Sequence, residues 1–93
     1  MIVGVLQLEL SIEEAMSLKD KRRAIKSLKD RIANAHNVSI AEVGALDAHR
    51  RSIIGIAMVG NEKSYVEGGL SKLVDFVRTV PTVELLDYQI DLL

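Results

Sequence analysis

Ninety-three residues, 48% of them hydrophobic, are enough for one domain with one core and leave little for a second. The lack of cysteine excludes disulfides, thiolate nucleophiles, thiolate zinc sites and cysteine-ligated iron–sulfur clusters together, and it fits a reducing compartment. The formal net charge of −1 conceals a segregation: Lys19 to Arg31 holds seven basic and two acidic residues, a local charge of +5, so the remainder carries −6.

Ile2 to Ile12 alternates as a strand does. Ile2, Gly4, Leu6, Leu8, Leu10 and Ile12 share one face, and Val3, Val5, Gln7, Glu9 and Ser11 share the other. The second face is apolar at its start and polar toward its end, the mark of a central strand covered fully on one side only. Gln7 and Glu9 break the apolar run, which is too short to cross a bilayer, and no basic leader with a cleavage site precedes it. A soluble, cytoplasmic protein with no membrane partner is the expectation.

Ser17, followed three residues later by Asp20, has the form of a capping box. Ala24, Ile25, Leu28, Ile32 and Ala35 then recur at helical spacing on one face. The pattern predicts a helix ending near His36-Asn37, with Asn37 suited to a left-handed backbone there. Lys21 falls near the middle of the apolar arc. Such a lysine ordinarily snorkels past the edge of the core with its head in water; buried, it requires a carboxylate such as Glu42 or Glu9.

Val38 to Leu46 reads as a weaker strand, with Ala41, Val43 and Ala45 on one face, and Ser39, Glu42 and Gly44 make it polar enough for an edge. Asp47 to Arg50 is the expected hairpin connection. Ser52 to Val59 is apolar on both faces, through Ile54, Ile56 and Met58 on one and Ile53, Ala57 and Val59 on the other, as in a central strand. Asn61 is the expected cap of a second helix, whose buried side is Val66, Leu70, Leu73, Val77 and Val80. Gly68-Gly69 inside it costs about 1 kcal/mol per glycine relative to alanine, which predicts close packing against the sheet. Pro81 stops the helix, and Val83 to Leu92, with Glu84, Asp87 and Asp91, reads as an edge strand.

Two right-handed crossovers folded together place the first and third strands in the centre, and these are the two most apolar strands. Connectivity and hydrophobicity therefore agree on one α+β domain over residues 1–93, ferredoxin-like β-α-β-β-α-β, with a four-stranded antiparallel sheet and two helices on one face.

That architecture hosts many functions, so each is weighed at its own site. RNA recognition by base stacking needs aromatic residues on the central strands, and Tyr65, Phe76 and Tyr88, the chain's three aromatics, lie outside them. The loop Ile12-Glu13-Glu14-Ala15-Met16 would repel a phosphate, and no glycine-rich segment joins a strand to a helix start. His36 falls where an imidazolium favours a helix C-terminus, His49 falls in an exposed hairpin, and nothing else converges on either. Glu13 and Glu14 alone make a weak site for a hard cation. The residues point to a domain that is not an enzyme and carries no metal or cofactor.

Two surfaces remain. Lys19, Arg22, Arg23, Lys26 and Lys29 occupy an arc of roughly 120° on the first helix, opposite Ile25, Leu28 and Ile32. A solvated exterior explains such an arc plainly. The functional alternatives are a surface that tracks RNA phosphates through charge and counterion release, or one that docks an acidic protein. The second surface is the uncovered sheet face, where Val3, Val5, Ile53, Ala57 and Val59 form an apolar patch of the kind that marks an interface.

The runs Ser17-Leu18-Lys19-Asp20-Lys21-Arg22-Arg23, Asn37-Val38-Ser39-Ile40-Ala41-Glu42-Val43 and Ile54-Gly55-Ile56-Ala57-Met58-Val59 resemble the YlxP-like family of small bacterial proteins of uncharacterised function. The resemblance covers nearly the whole chain. It implies a ferredoxin-like fold, supplies no catalytic residue, and suggests a ribosome-associated role because family genes lie beside translation and ribosome-maturation factors in some bacteria. The chain departs from the family in its hairpin, where Ala48-His49-Arg50-Arg51 replaces a tryptophan or other large apolar residue. The preferred expectation is a binding domain that contacts ribosomal RNA or a ribonucleoprotein through the basic helix face. The alternative is a homo-oligomeric interaction module built on the open sheet face.

Overall fold

Leu6, Leu8 and Leu10 are fully buried while Gln7 and Glu9 between them are exposed, so the alternation of the first strand is a division between core and open face. The computed structural model describes residues 1–93. Its elements are β1 (Ile2–Ser11), α1 (Leu18–Ala35), β2 (Ser39–Gly44), β3 (Arg51–Gly60), α2 (Lys63–Arg78) and β4 (Glu84–Leu92). The sheet order is β2-β3-β1-β4 with every pair antiparallel, which puts the two most apolar strands in the centre.

The covered face of the sheet and the inner sides of both helices form one core of 18 buried hydrophobic residues. Leu6, Leu8, Leu10, Ile54, Ile56 and Met58 come from the central strands, Ile25, Leu28 and Ile32 from α1, and Val66, Leu70, Leu73, Val74 and Val77 from α2. Each such side chain contributes about 1.5–3 kcal/mol when fully buried. The close fit of α2 is visible at Gly4, where a Cβ would stand 2.5 Å from Val66 Cγ1 and 2.8 Å from Leu70 Cδ1. No helix is long and apolar enough to cross a membrane.

The helix ends depart from expectation in three places. Ser17 caps α1 as its position predicts, accepting from the Asp20 N–H at 3.2 Å, but the Asp20 carboxylate reaches past Ser17 to accept from the Met16 N–H at 3.0 Å. At the other end the expected left-handed Asn37 is absent. His36 is extended and donates its N–H to the Ile32 carbonyl at 2.9 Å, sending the chain straight toward β2. The one residue with positive φ is Ala45, at 55°. In α2 the cap position is Glu62, without a side-chain cap bond, because Asn61 lies one residue too early.

The last turn of α2 also closes earlier than its apolar pattern suggests. Helix geometry stops at Arg78, and Thr79 bonds the Phe76 carbonyl through both its N–H and its hydroxyl. Val80 stays in the core but lies outside the helix, since the residue before a proline is disfavoured in helical conformation. The glycine pair splits in role. A Cβ on Gly69 would meet Met58 Cε at 2.8 Å, whereas Gly68 faces open space, so close packing explains only the second.

Candidate nucleic-acid interface and open sheet face

The outer arc of α1 presents Lys19, Arg22, Arg23 and Lys26 to solvent, with Lys29 half-buried. Lys29 lies at the margin of the arc nearest Ile25, which accounts for its partial cover. Lys26 donates to Asp30 at 2.8 Å, and that hydrogen bond together with the opposite charge holds its ammonium above its ordinary range. The chain's remaining ion pairs are Lys21 with Glu42, Arg51 with Glu9 and Lys63 with Glu67. Lys19, Arg22, Arg23 and Lys29 therefore have no carboxylate within 4.0 Å.

Lys21 behaves differently from the snorkelling expected of it. Its side chain is fully buried, and the carboxylate that joins it is Glu42, at 3.0 Å. The ammonium also donates to the carbonyls of Ala45 at 2.9 Å, Leu46 at 3.1 Å and Arg51 at 3.3 Å. Glu42 Oε2 accepts in addition from the Ser52 hydroxyl at 2.6 Å. Glu9, the other candidate partner, sits on the opposite face of the sheet and pairs with Arg51 at 3.6 Å. The alternation of β2 carries the signal, because Ile40 and Glu42, opposite Ile56 and Ile54, share the covered face. The clamp pins the connection between β2 and β3 to the first turn of α1. Arg50 reinforces it from the other side, donating through Nε to the Ala15 carbonyl at 3.1 Å while its own carbonyl accepts from the Ile12 N–H at 3.0 Å.

The two histidines are not brought together. His36 ends α1, whereas His49 belongs to the exposed connection held at the start of α1, and the 18-residue helix between those ends is about 27 Å long. Glu13 and Glu14 are exposed, and no group of three or more His, Asp or Glu side chains is placed to hold a metal ion. The aromatics stand outside β1 and β3 as the sequence places them, with the Arg78 guanidinium 5.9 Å from the centre of the Tyr88 ring.

On the open face four of the five apolar residues come together, and Ile53 stands apart beyond Gly55. Val3 pairs with Val59 and Val5 with Ala57, while Ile53 stands opposite Glu9. Val59 is 56% exposed and Val43 on β2 is 57% exposed. Beside Val43 runs a shallow trough of about 360 Å³ whose sides include Val5, Gln7, Ala41, Gly55 and Ala57. Sequence periodicity finds the face but not the trough, which depends on the register of four strands.

Fold and surfaces together define a ferredoxin-like α+β domain with a basic helix on one side and a bare sheet on the other. The chain belongs to the family described as Protein of unknown function (DUF503), which it matches over residues 3–90. It is 35% identical over 83 residues to the "Uncharacterized protein YlxP" of Bacillus subtilis (strain 168), covering 89% of this chain and 90% of that relative. Among solved structures, the "De novo designed protein Foldit4" is similar with a TM-score of 0.56 and 12% identity, over 100% of this chain and 97% of that one. At that identity the likeness concerns the fold alone.

Proposed function

We propose that the protein is a non-enzymatic RNA-contacting domain that uses the outer face of α1, with ribosomal RNA or a ribonucleoprotein as its partner. The observation that supports this reading is the set of α1 cations left without a carboxylate, in a chain with more acidic than basic residues. A merely solvated face would be expected to draw on that acid, as Lys26 does with Asp30. Lys19, Arg22 and Arg23 reach the phosphates, Lys26 does so by exchanging Asp30 for the RNA, and Lys29 adds charge from the margin. The ridge spans about 15 Å of helix. It carries no aromatic or amide group to read a base edge, so binding is sequence-indifferent.

The test is fluorescence anisotropy with a labelled RNA across a salt series. Four or five phosphate contacts give a slope of log K against log salt of about −3 to −4. Arg22→Glu with Arg23→Glu is expected to abolish binding at moderate salt without unfolding the protein, since both side chains are exposed. Absence of binding at low salt, or binding indifferent to that reversal, overturns the reading. In cells, co-purification with ribosomal particles that is lost on ribonuclease treatment is the corresponding outcome.

A further inference from the structure

We infer that the open sheet face docks a short, basic, amphipathic helix of a partner protein. Strand register lays the face out in rows. One runs Ser39, Ala57, Val5, Asp91, and the next Ala41, Gly55, Gln7, Gln89. A third places Ile53 beside Glu9 and Glu9 beside Asp87. Each row grades from small or apolar side chains on β2 and β3, through Val5, Gln7 or Glu9 on β1, to an amide or carboxylate on β4. The trough follows the first two rows across all four strands, and the third borders it. Its floor is low where Gly55, Ala41 and Ala57 contribute little or no side chain.

The carboxylates at the β4 end lack cations. Asp87 accepts from the Tyr88 N–H at 2.8 Å and Asp91 from the Gln89 amide at 3.1 Å, both within β4, and neither forms an ion pair. Arg51, the cation bordering the face, is engaged with Glu9. A second copy is therefore a poor occupant. A two-fold axis parallel to the strands sets each acidic column on the other copy's apolar column, and one perpendicular to them sets acid on acid. Neither brings a cation to Asp87 and Asp91. An occupant with apolar side chains for Val5, Val43 and Ala57, and lysine or arginine for Asp87 and Asp91, complements the whole face. Three inter-strand steps make the trough about 14 Å long, the length of roughly nine or ten helical residues, which is the helix-in-groove mode of recognition.

The test is a two-dimensional ¹⁵N–¹H NMR titration of the intact chain with a synthetic leucine–lysine amphipathic helix, and with a leucine–glutamate helix of equal length. Saturable shifts are expected for the lysine peptide alone, centred on residues 5–7, 41–43, 55–57 and 89–91. Asp87→Lys with Asp91→Lys is expected to reverse the preference toward the glutamate peptide. Ala57→Leu, which fills the trough without touching the charge, is expected to weaken the lysine peptide by about tenfold or more. Arg22→Glu with Arg23→Glu leaves the titration unchanged, so this inference and the RNA reading stand or fall separately. Equal response to both peptides, shifts centred on the helices, or no reversal on charge exchange overturns the inference. So does a concentration-dependent dimer that perturbs the same amides without peptide.

Discussion

A lysine ammonium carries three N–H donors, and Lys21 directs them among four oxygens, two of them main-chain carbonyls of the β2–β3 connection and a third that of Arg51 at the start of β3. Removing that ammonium from water costs several kcal/mol, and only a full set of partners recovers it. The same partners offset the left-handed backbone of Ala45, a conformation that costs a non-glycine residue roughly 1–2 kcal/mol. Lys21→Met, which keeps the stem and removes the charge, is expected to destabilise the fold by about 3–5 kcal/mol in chemical denaturation, because Glu42 and the three carbonyls are left without their donor. Glu42→Gln keeps an oxygen in place for Lys21 and Ser52 and is expected to cost clearly less. Near-equal losses, or a negligible loss for Lys21→Met, would show that the clamp does not hold the connection. A helical wheel places Lys21 on the apolar arc, and there its information ends. The carbonyls that receive it lie 24 to 30 residues further along the chain.

The elements differ in how much of each is local. The start of α1 is legible because Ser17 and Asp20 interact with backbone only three and four residues away. The centrality of β1 and β3 is legible because they are the two most apolar strands and the connectivity places the same two in the centre. The start of α2 is not, since Glu62 caps it with backbone geometry alone and Asn61 mimics the usual signal one position early. The glycine pair is readable only against the neighbouring sheet, and it yields a comparison. Gly68→Ala adds a methyl group to open space and is expected to stabilise α2 by about 0.5–1 kcal/mol. Gly69→Ala must displace the Met58 thioether, so its gain in helix propensity is offset and its melting temperature should lie below that of Gly68→Ala. The reverse order would mean that Met58 moves freely.

Across the whole molecule, charge is arranged by face. The basic arc of α1 looks away from the core on the helical side, and Asp87 and Asp91 lie on the sheet side, so the RNA and the basic helix proposed above would meet opposite sides of the molecule. The five apolar residues of the open face were identifiable from strand alternation, and the five ridge cations from helical spacing. What alternation could not supply was the unequal standing of those cations: Lys26 is already engaged, Lys29 is half-covered, and three remain fully available.

The Lys21 clamp also bears on how long the fold lasts once formed. An ammonium that loses its water before all four oxygens have arrived is penalised, so the bonds to Glu42, Ala45, Leu46 and Arg51 are expected to close after the folding barrier has been crossed. In stopped-flow experiments Lys21→Met is then expected to accelerate unfolding and leave refolding almost unaltered, whereas slowed refolding would place the clamp within the nucleus. One buried side chain in the first turn of a helix would thus act as a latch on the native state's lifetime, retarding escape from the fold without hastening arrival.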